Sequence, residues 1–340
     1  MVFSYPPFQA IRRAMRCQLP AFMAVSIIGL QISCGAPPAS PAEPYEYRQL
    51  HLGVQVRIVL YARKEADARG AARAAYDRMA MLEDVFSDYR AHSEIRRLSE
   101  TAHERPAPVS PELFRVLAAA TDLARRTDGA FDVTAGPFVA LWRDARRSGA
   151  LPDSTDLALA RARVGWTAVQ LDAAELTVRL ALAGMAIDLG GIAKGYILDE
   201  AMVELTRRGI HSALIEAGGD LLVSGAPPGR AGWQIAIPNA PPDLAAAASA
   251  LTFAAVATSG DTKQYMDVDG VRYSHVLDPR TGMALTSRAL ATVIAPDGMT
   301  ADSYATALTV LTKDEGLALL AERPDLRAFV RSTADQAPVR

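Results

Sequence analysis

The chain has 340 residues, 36 basic against 38 acidic, for a formal net charge of −2. Half of its residues are hydrophobic and 22% are charged, which excludes intrinsic disorder, a collagen-like chain and a polytopic membrane protein. Without a basic excess a nucleic-acid partner has no electrostatic footprint, and the length accommodates one large domain or two small ones.

Both cysteines, Cys17 and Cys34, fall in the first tenth of the chain. The remainder therefore holds no disulfide framework, no thiolate zinc site and no cysteine nucleophile. Arg12, Arg13 and Arg16 form a positive leader, residues 19–32 a short apolar run, and Ser33, Cys34, Gly35 and Ala36 a small-residue segment. This is the layout of an export signal, with a run too short to span a bilayer comfortably, so residues 1–36 are expected to be a signal peptide. Cys34 is a candidate lipidation site, although Gln31 stands where lipoprotein signals usually place Leu; ordinary cleavage after Ala36 is the alternative. Arg12-Arg13 also admits twin-arginine export. Residues 37–44, rich in Pro and Ala, read as an extended tether.

From residue 45 strands and helices follow each other. Leu50, Leu52, Val54, Val56, Ile58 and Leu60 alternate, which predicts a strand over 45–61. Residues 65–85 carry an alanine-rich apolar stripe and predict a helix. Ser110-Pro111-Glu112 supplies an N-cap and a first-position proline for a helix to about residue 127. Strands are expected at 169–171 and 177–182, then a helix over 192–208 stopped by Gly209. Further strands are expected at 211–215, 221–224, 233–237, 251–256, 264–268, 271–277 and 290–294, and a helix over 300–311 with Asp302 in its first turn. Residues 238–250 read as a loop or short helix and 332–340 as a frayed tail. Strands that succeed each other directly imply a largely antiparallel sheet, hence an α+β fold and not a doubly wound dinucleotide fold.

Four motifs carry chemistry. Asp188-Leu189-Gly190-Gly191-Ile192-Ala193-Lys194-Gly195 runs into a helix, where glycines admit a ligand to the backbone and the helix N-terminus favours anions; it lacks the spacing of a Walker loop. Glu216-Ala217-Gly218-Gly219-Asp220 follows a strand and is, alone, equally well a turn. Thr258-Ser259-Gly260-Asp261, with Ser274-His275-Val276-Leu277-Asp278-Pro279, joins small hydroxyls to a histidine; a lone histidine is as well explained by packing. Asp302 and Thr306, four apart on a helix, share a face. A carboxylate beside a hydroxyl suits Mg²⁺, which completes its shell with water and phosphate oxygens, although a capping Asp and a back-bonded Thr would look the same.

In this order the motifs resemble the ApbE family, the FAD:protein FMN transferases. Upstream blocks add to the resemblance: Phe86-Ser87-Asp88-Tyr89-Arg90, Ser93-Glu94-Ile95, Gly129-Ala130-Phe131-Asp132-Val133-Thr134-Ala135-Gly136-Pro137 and Leu141-Trp142. It covers residues 45–331 and implies a T-fold-like α+β architecture and export, often as a lipoprotein. It implies Mg²⁺-dependent cleavage of FAD, transfer of FMN as a phosphoester to a Thr or Ser of an acceptor protein, and release of AMP. By match to the family's motifs, Asp302 and Thr306 would hold Mg²⁺ together with the backbone carbonyl of Gly191. FAD would be bound by Tyr89, Ala130, Phe131, Asp132, Asp188, Lys194, Thr258, Ser259, His275 and Val276. The hydroxyl residue that some members carry at the Gly191 position is absent. A base must take the acceptor's proton; His275 is one candidate and Asp261 the other. The resemblance suggests membrane redox subunits of the Rnf or sodium-pumping NADH:quinone reductase type as acceptors, and a place on the periplasmic side of the inner membrane, anchored at Cys34. Two other readings stay open: an FAD pyrophosphatase releasing FMN and AMP, and a non-catalytic exported flavin-binding protein, against which the retained Asp302 and Thr306 count.

Overall fold

The computed structural model describes residues 41–237, 242, 246, 248–260 and 265–331. The expected signal peptide with Cys34, residues 37–40 of the expected tether, Asp261 and the expected tail at 332–340 lie outside the described residues.

The chain enters through a hairpin, β1 (Glu43–His51) and β2 (Val54–Ala62), paired antiparallel from Glu43↔Ala62 to His51↔Val54. The alternation over 45–61 thus belongs to two strands. The break is Leu52-Gly53, both at positive φ (55° and 71°), the mirror-image turn whose twist matches that of the flanking strands. Leu52 keeps the apolar alternation running through the turn, which hides it from a period-two reading. Because β1 begins at Glu43, the last two residues of the expected tether, Glu43 and Pro44, are sheet residues.

Helix α1 (Glu65–Phe86) follows, and its buried Ala68, Ala71, Ala72, Ala75, Met79 and Leu82 recur at helical spacing. Next come α2 (Glu94–Thr101), β3 (Ala107–Pro108), α3 (Pro111–Arg126), α4 (Gly136–Ser148), α5 (Ser154–Arg161), β4 (Val169–Asp172) and β5 (Thr177–Leu180). α3 is capped by Ser110, whose hydroxyl accepts from Leu113 N–H at 3.2 Å. Strands β3, β5 and β4 make a small antiparallel sheet. The rest of the chain gives α6 (Ala193–Arg207), β6 (Ala213–Ala217), β7 (Asp220–Val223), β8 (Ala254–Gly260), β9 (Tyr265–Val268), β10 (Val271–Ser274), β11 (Leu277–Asp278), β12 (Met283–Ala284), β13 (Leu290–Ala295), α7 (Gly298–Val310), α8 (Lys313–Ala321) and β14 (Arg327–Arg331).

The main sheet has the order β1-β2-β6-β7-β8-β13-β14, and every neighbouring pair is antiparallel. Its register sets Ile58, Ile215, Leu222, Ala255 and Ala295 in one row across five strands. All five are buried in the main core beneath α1, α6 and α7. The other face carries Leu214, Val223, Val256 and Ile294 under Trp233 and Ile235. Here the strand expected at 233–237 is reduced to the single bridge Trp233↔Leu251. The expected 271–277 strand splits into β10 and β11, because Ser274 turns its hydroxyl to accept from Val276 N–H at 3.0 Å.

Helices α6 and α7 cross backbone to backbone. A Cβ on Gly195 would lie 2.0 Å from the Gly298 carbonyl oxygen, so only glycine permits the crossing that brings Lys194 to Asp302.

Candidate active site

The starts of α6 and α7 cap each other. Asp302, on the second turn of α7, accepts from the Gly195 N–H near the start of α6 at 3.1 Å. Asp199, on α6, accepts from Gly298 N–H (2.6 Å) and Met299 N–H (2.9 Å) at the start of α7. Each aspartate satisfies donors that a helix start leaves open. Burial pushes the Asp199 carboxyl up to about 7, against the two N–H donors.

Lys194 sits between two buried carboxylates. Its ammonium pairs with Asp220 and lies 3.4 Å from Asp302 Oδ1; the two acids are only 5% and 6% exposed. Asp220 opens β7 and also accepts from Thr258 N–H at 3.2 Å, which fixes the end of β8. From that end Ser259 Oγ meets Thr306 Oγ1 at 3.4 Å. Gly191 closes the group: a Cβ there would lie 3.0 Å from Thr306 Cγ2, 3.1 Å from Thr306 Oγ1 and 3.3 Å from the Phe131 ring. A side chain at this position would have to displace Thr306, so the missing family hydroxyl leaves room for the loop to approach α7.

Asp302, Thr306, Gly191, Lys194, Ser259 and Phe131 are therefore brought together. Thr258 takes part through its backbone only, because its side chain turns to the opposite sheet face and shares a hydrogen bond with Thr292 Oγ1 at 2.9 Å. Asp132 stitches its own loop: Oδ1 accepts from Thr134 N–H and hydroxyl (both 2.8 Å) and Oδ2 from Trp166 N–H (3.0 Å). Burial raises its carboxyl while those donors oppose the rise. Ala130 is buried beside Phe131. His275 is half-buried between β10 and β11, and Val276 is buried.

A second group adjoins the Gly190–Gly191 loop. Asp188 Oδ1 accepts from Gly190 N–H at 2.9 Å, and Asp188 Oδ2 accepts from Arg143 Nη2 at 3.1 Å. Arg143 also pairs with Asp88 and lies 4.6 Å from the Tyr89 ring centroid. Burial pushes the Asp188 carboxyl up, with Asp88 adding to the rise and Gly190 N–H and Arg143 opposing it. Asp88, Arg143 and Asp188 line a cavity of about 270 Å³. A larger groove of about 590 Å³ between α1, α3 and α6 holds none of the expected site residues, and its Arg78 is ion-paired with both Glu112 and Glu200.

Sequence reasoning attached no role to Asp220, Arg143, Asp88 or Asp199. Asp220 ends one of the four motifs and Asp88 lies in a family-like block, so both carried a signal; Arg143 and Asp199 carried none beyond their neighbours.

The ApbE family profile matches residues 52–330. The chain is 33% identical over 298 residues to an FAD:protein FMN transferase of Klebsiella pneumoniae, covering 86% of this chain and 90% of that one. It is 32% identical over 314 residues to one from Treponema pallidum, covering 87% and 86%. Among solved structures, the flavin transferase ApbE of Vibrio cholerae superposes with a TM-score of 0.74 at 28% identity, over 87% of this chain and 99% of that one. The ApbE protein of Thermotoga maritima gives 0.74 at 32% identity, over 86% and 95%. Fold and likeness together define the class, a transferase built on an α+β fold with a largely antiparallel sheet. The chain belongs to the ApbE family.

Proposed function

We propose that this protein is an FAD:protein FMN transferase that cleaves FAD with the aid of Mg²⁺, esterifies FMN to a Thr or Ser hydroxyl of an acceptor protein and releases AMP. The observation that carries the proposal is the meeting of Lys194, Asp302, Thr306, Ser259 and Gly191 where α6 and α7 cross beside the end of β8.

The donor set fits Mg²⁺. A carboxylate, two hydroxyls and a close backbone are hard oxygen ligands. Asp302, Thr306 and the Gly191 carbonyl would hold the ion. When bound, it would neutralise the pyrophosphate and ease departure of AMP.

The chain's own residues do the rest. Lys194 presents one positive charge, held between two acids, to an incoming phosphate, and the start of α6 adds its dipole. Asp220 and Asp302 hold that ammonium in place, so it need not reorganise as charge develops. Phe131 walls the Gly191 side. The acceptor oxygen bonds to the FMN phosphorus as the bond to the AMP oxygen breaks, and the acceptor proton passes to a base. His275 is assigned that role, with Asp261 as the alternative; such help contributes about 10²–10⁴-fold.

The same proposal places the enzyme outside the cytoplasm. The layout of residues 1–36 supports export, with Cys34 as lipid anchor on the periplasmic side of the inner membrane, residues 37–42 as tether and residues 43–331 as the catalytic domain. Its acceptors would be membrane redox subunits of the Rnf or sodium-pumping NADH:quinone reductase kind.

The test is incubation with FAD, Mg²⁺ and an acceptor domain carrying a candidate Thr or Ser, followed by intact-mass spectrometry and AMP quantification. Covalent FMN on the acceptor with equimolar AMP is expected. AMP and free FMN beside an unmodified acceptor would make the protein a hydrolase, and absence of AMP would overturn both.

A further inference from the structure

Arg143 is held from both ends. Its neighbour Trp142 is buried on α4 and donates from Nε1 to the Gly282 carbonyl at 2.9 Å, so the backbone from which Arg143 projects is fixed. The guanidinium divides its N–H groups between Asp88 and Asp188, and its central carbon lies over the Tyr89 ring, 4.6 Å from the centroid. Tyr89 itself is 80% exposed. An aromatic ring that exposed, yet resting on an anchored cation, offers a flat surface to a planar ligand. The other end of the arrangement is the phosphate side: Asp188 accepts from Arg143 through one oxygen and from Gly190 N–H through the other, one residue before Gly191 packs on Thr306.

We propose that Arg143 is a positioning residue for the flavin nucleotide, fixing the Tyr89 ring as a stacking shelf and tying that shelf, through Asp188, to the Gly190–Gly191 loop. The inference rests on the functional reading above, because it takes a planar ring joined to a pyrophosphate as the ligand. A lysine does not replace this arginine: it keeps the charge but loses the fork that reaches two carboxylates and the plane that lies under a ring.

The experiment compares wild type, Arg143→Ala, Arg143→Lys, Tyr89→Ala and the Arg143→Ala/Tyr89→Ala double variant. FAD affinity is read by flavin fluorescence with Mg²⁺ chelated, and KM and kcat by AMP release. Arg143→Ala is expected to raise Kd and KM for FAD about tenfold, the scale of one lost stacking contact, while kcat stays within about threefold. Arg143→Lys should fall nearer the alanine variant than wild type. The double variant should bind little worse than Tyr89→Ala alone, since both substitutions remove the same shelf. A purely structural arginine would instead give additive losses, or a fall in kcat at unchanged KM, and either result overturns the proposal. So does wild-type affinity in Arg143→Lys. If Arg143→Ala does not fold, the lysine variant and its combination with Tyr89→Ala decide the matter in the same way. Wild-type protein that neither binds FAD nor releases AMP would bring down the functional reading itself, whereas a competent wild type with unaltered Arg143 variants overturns this inference alone.

Discussion

Asp302 serves two partners in the protein before any ion arrives. It accepts from the buried Gly195 N–H and faces the Lys194 ammonium. Its replacement by alanine would strand that N–H, at a cost of about 1–3 kcal/mol, and so confuse loss of fold with loss of metal. Asp302→Asn separates them, because the amide oxygen still accepts from Gly195 while the charge is gone. We expect Asp302→Asn to keep the wild-type circular dichroism spectrum and to lose about 10²-fold or more of Mg²⁺-dependent AMP release, as removal of charge stabilisation at a metal site implies. Thr306→Ala should lose less, since water replaces a neutral hydroxyl. An Asn variant with wild-type Mg²⁺ dependence would place the metal elsewhere. The pair itself was legible in the sequence because its spacing is a helical period. Arg143 and Asp188 were not paired there: they stand 45 residues apart, and no local pattern marks an ion pair of that separation. Thr258 and Ser259, adjacent in the sequence, are parted in the structure, since a strand turns successive side chains to opposite faces and the Thr258 hydroxyl meets Thr292 instead.

Longer helices with an explicit start were readable as elements. Ser110-Pro111-Glu112 marks α3 to the residue, and the α1 stripe marks its length. Short helices were not read even where capped: α2, α5 and α8 carry Ser93, Asp153 and Thr312 as caps but run only 8, 8 and 9 residues; α4 begins at Gly136-Pro137 with no side-chain cap, and the Leu52-Gly53 turn is masked by an apolar residue at positive φ. The α6–α7 crossing was equally hidden, because it depends on Gly195 meeting Gly298, and its pin is Asp199. That carboxyl is buried beside Asp297 and Glu200, which raise it further, and titrates at about 7 when folded, against about 3.9 in an unfolded chain. A folded-state value above the unfolded one means that the group's contribution is fully present below about pH 4 and is lost as pH rises towards 7. The urea midpoint of wild type, measured against that of Asp199→Asn, should therefore fall across this window, since asparagine has no proton to lose. A difference between the two that does not change from pH 4 to 7 would show Asp199 to be ionised throughout.

At the scale of the whole molecule, strands succeeding one another without crossover helices announced an antiparallel sheet. The adjacency of β2 and β6 was beyond the sequence, because a long insertion carrying six helices, α1 to α6, and the small sheet separates them. Among the described residues no helix is long and apolar enough to cross a membrane, so the proposed membrane attachment rests on the segment before β1. Removal of residues 1–33 would take three arginines and no acids, leaving 33 basic against 38 acidic residues and a net charge of −5. A body of that charge has no electrostatic attraction to an anionic leaflet, which makes a covalent lipid the physical means of keeping it near membrane-bound acceptors. Stable anchoring takes two hydrophobic signals, and a diacylglyceryl group on Cys34 supplies two chains. Residues 35–42, extended at about 3.1 Å each, would let the body stand up to about 25 Å from that anchor. The expected outcome is a membrane-fraction protein whose intact mass begins at Cys34 and includes the diacylglyceryl adduct, and a Cys34→Ala variant released into the soluble periplasmic fraction with its FAD cleavage intact. A mature N-terminus at Pro37 would remove the anchor while leaving export standing. A soluble cytoplasmic protein whose mass still includes Met1 would overturn export itself.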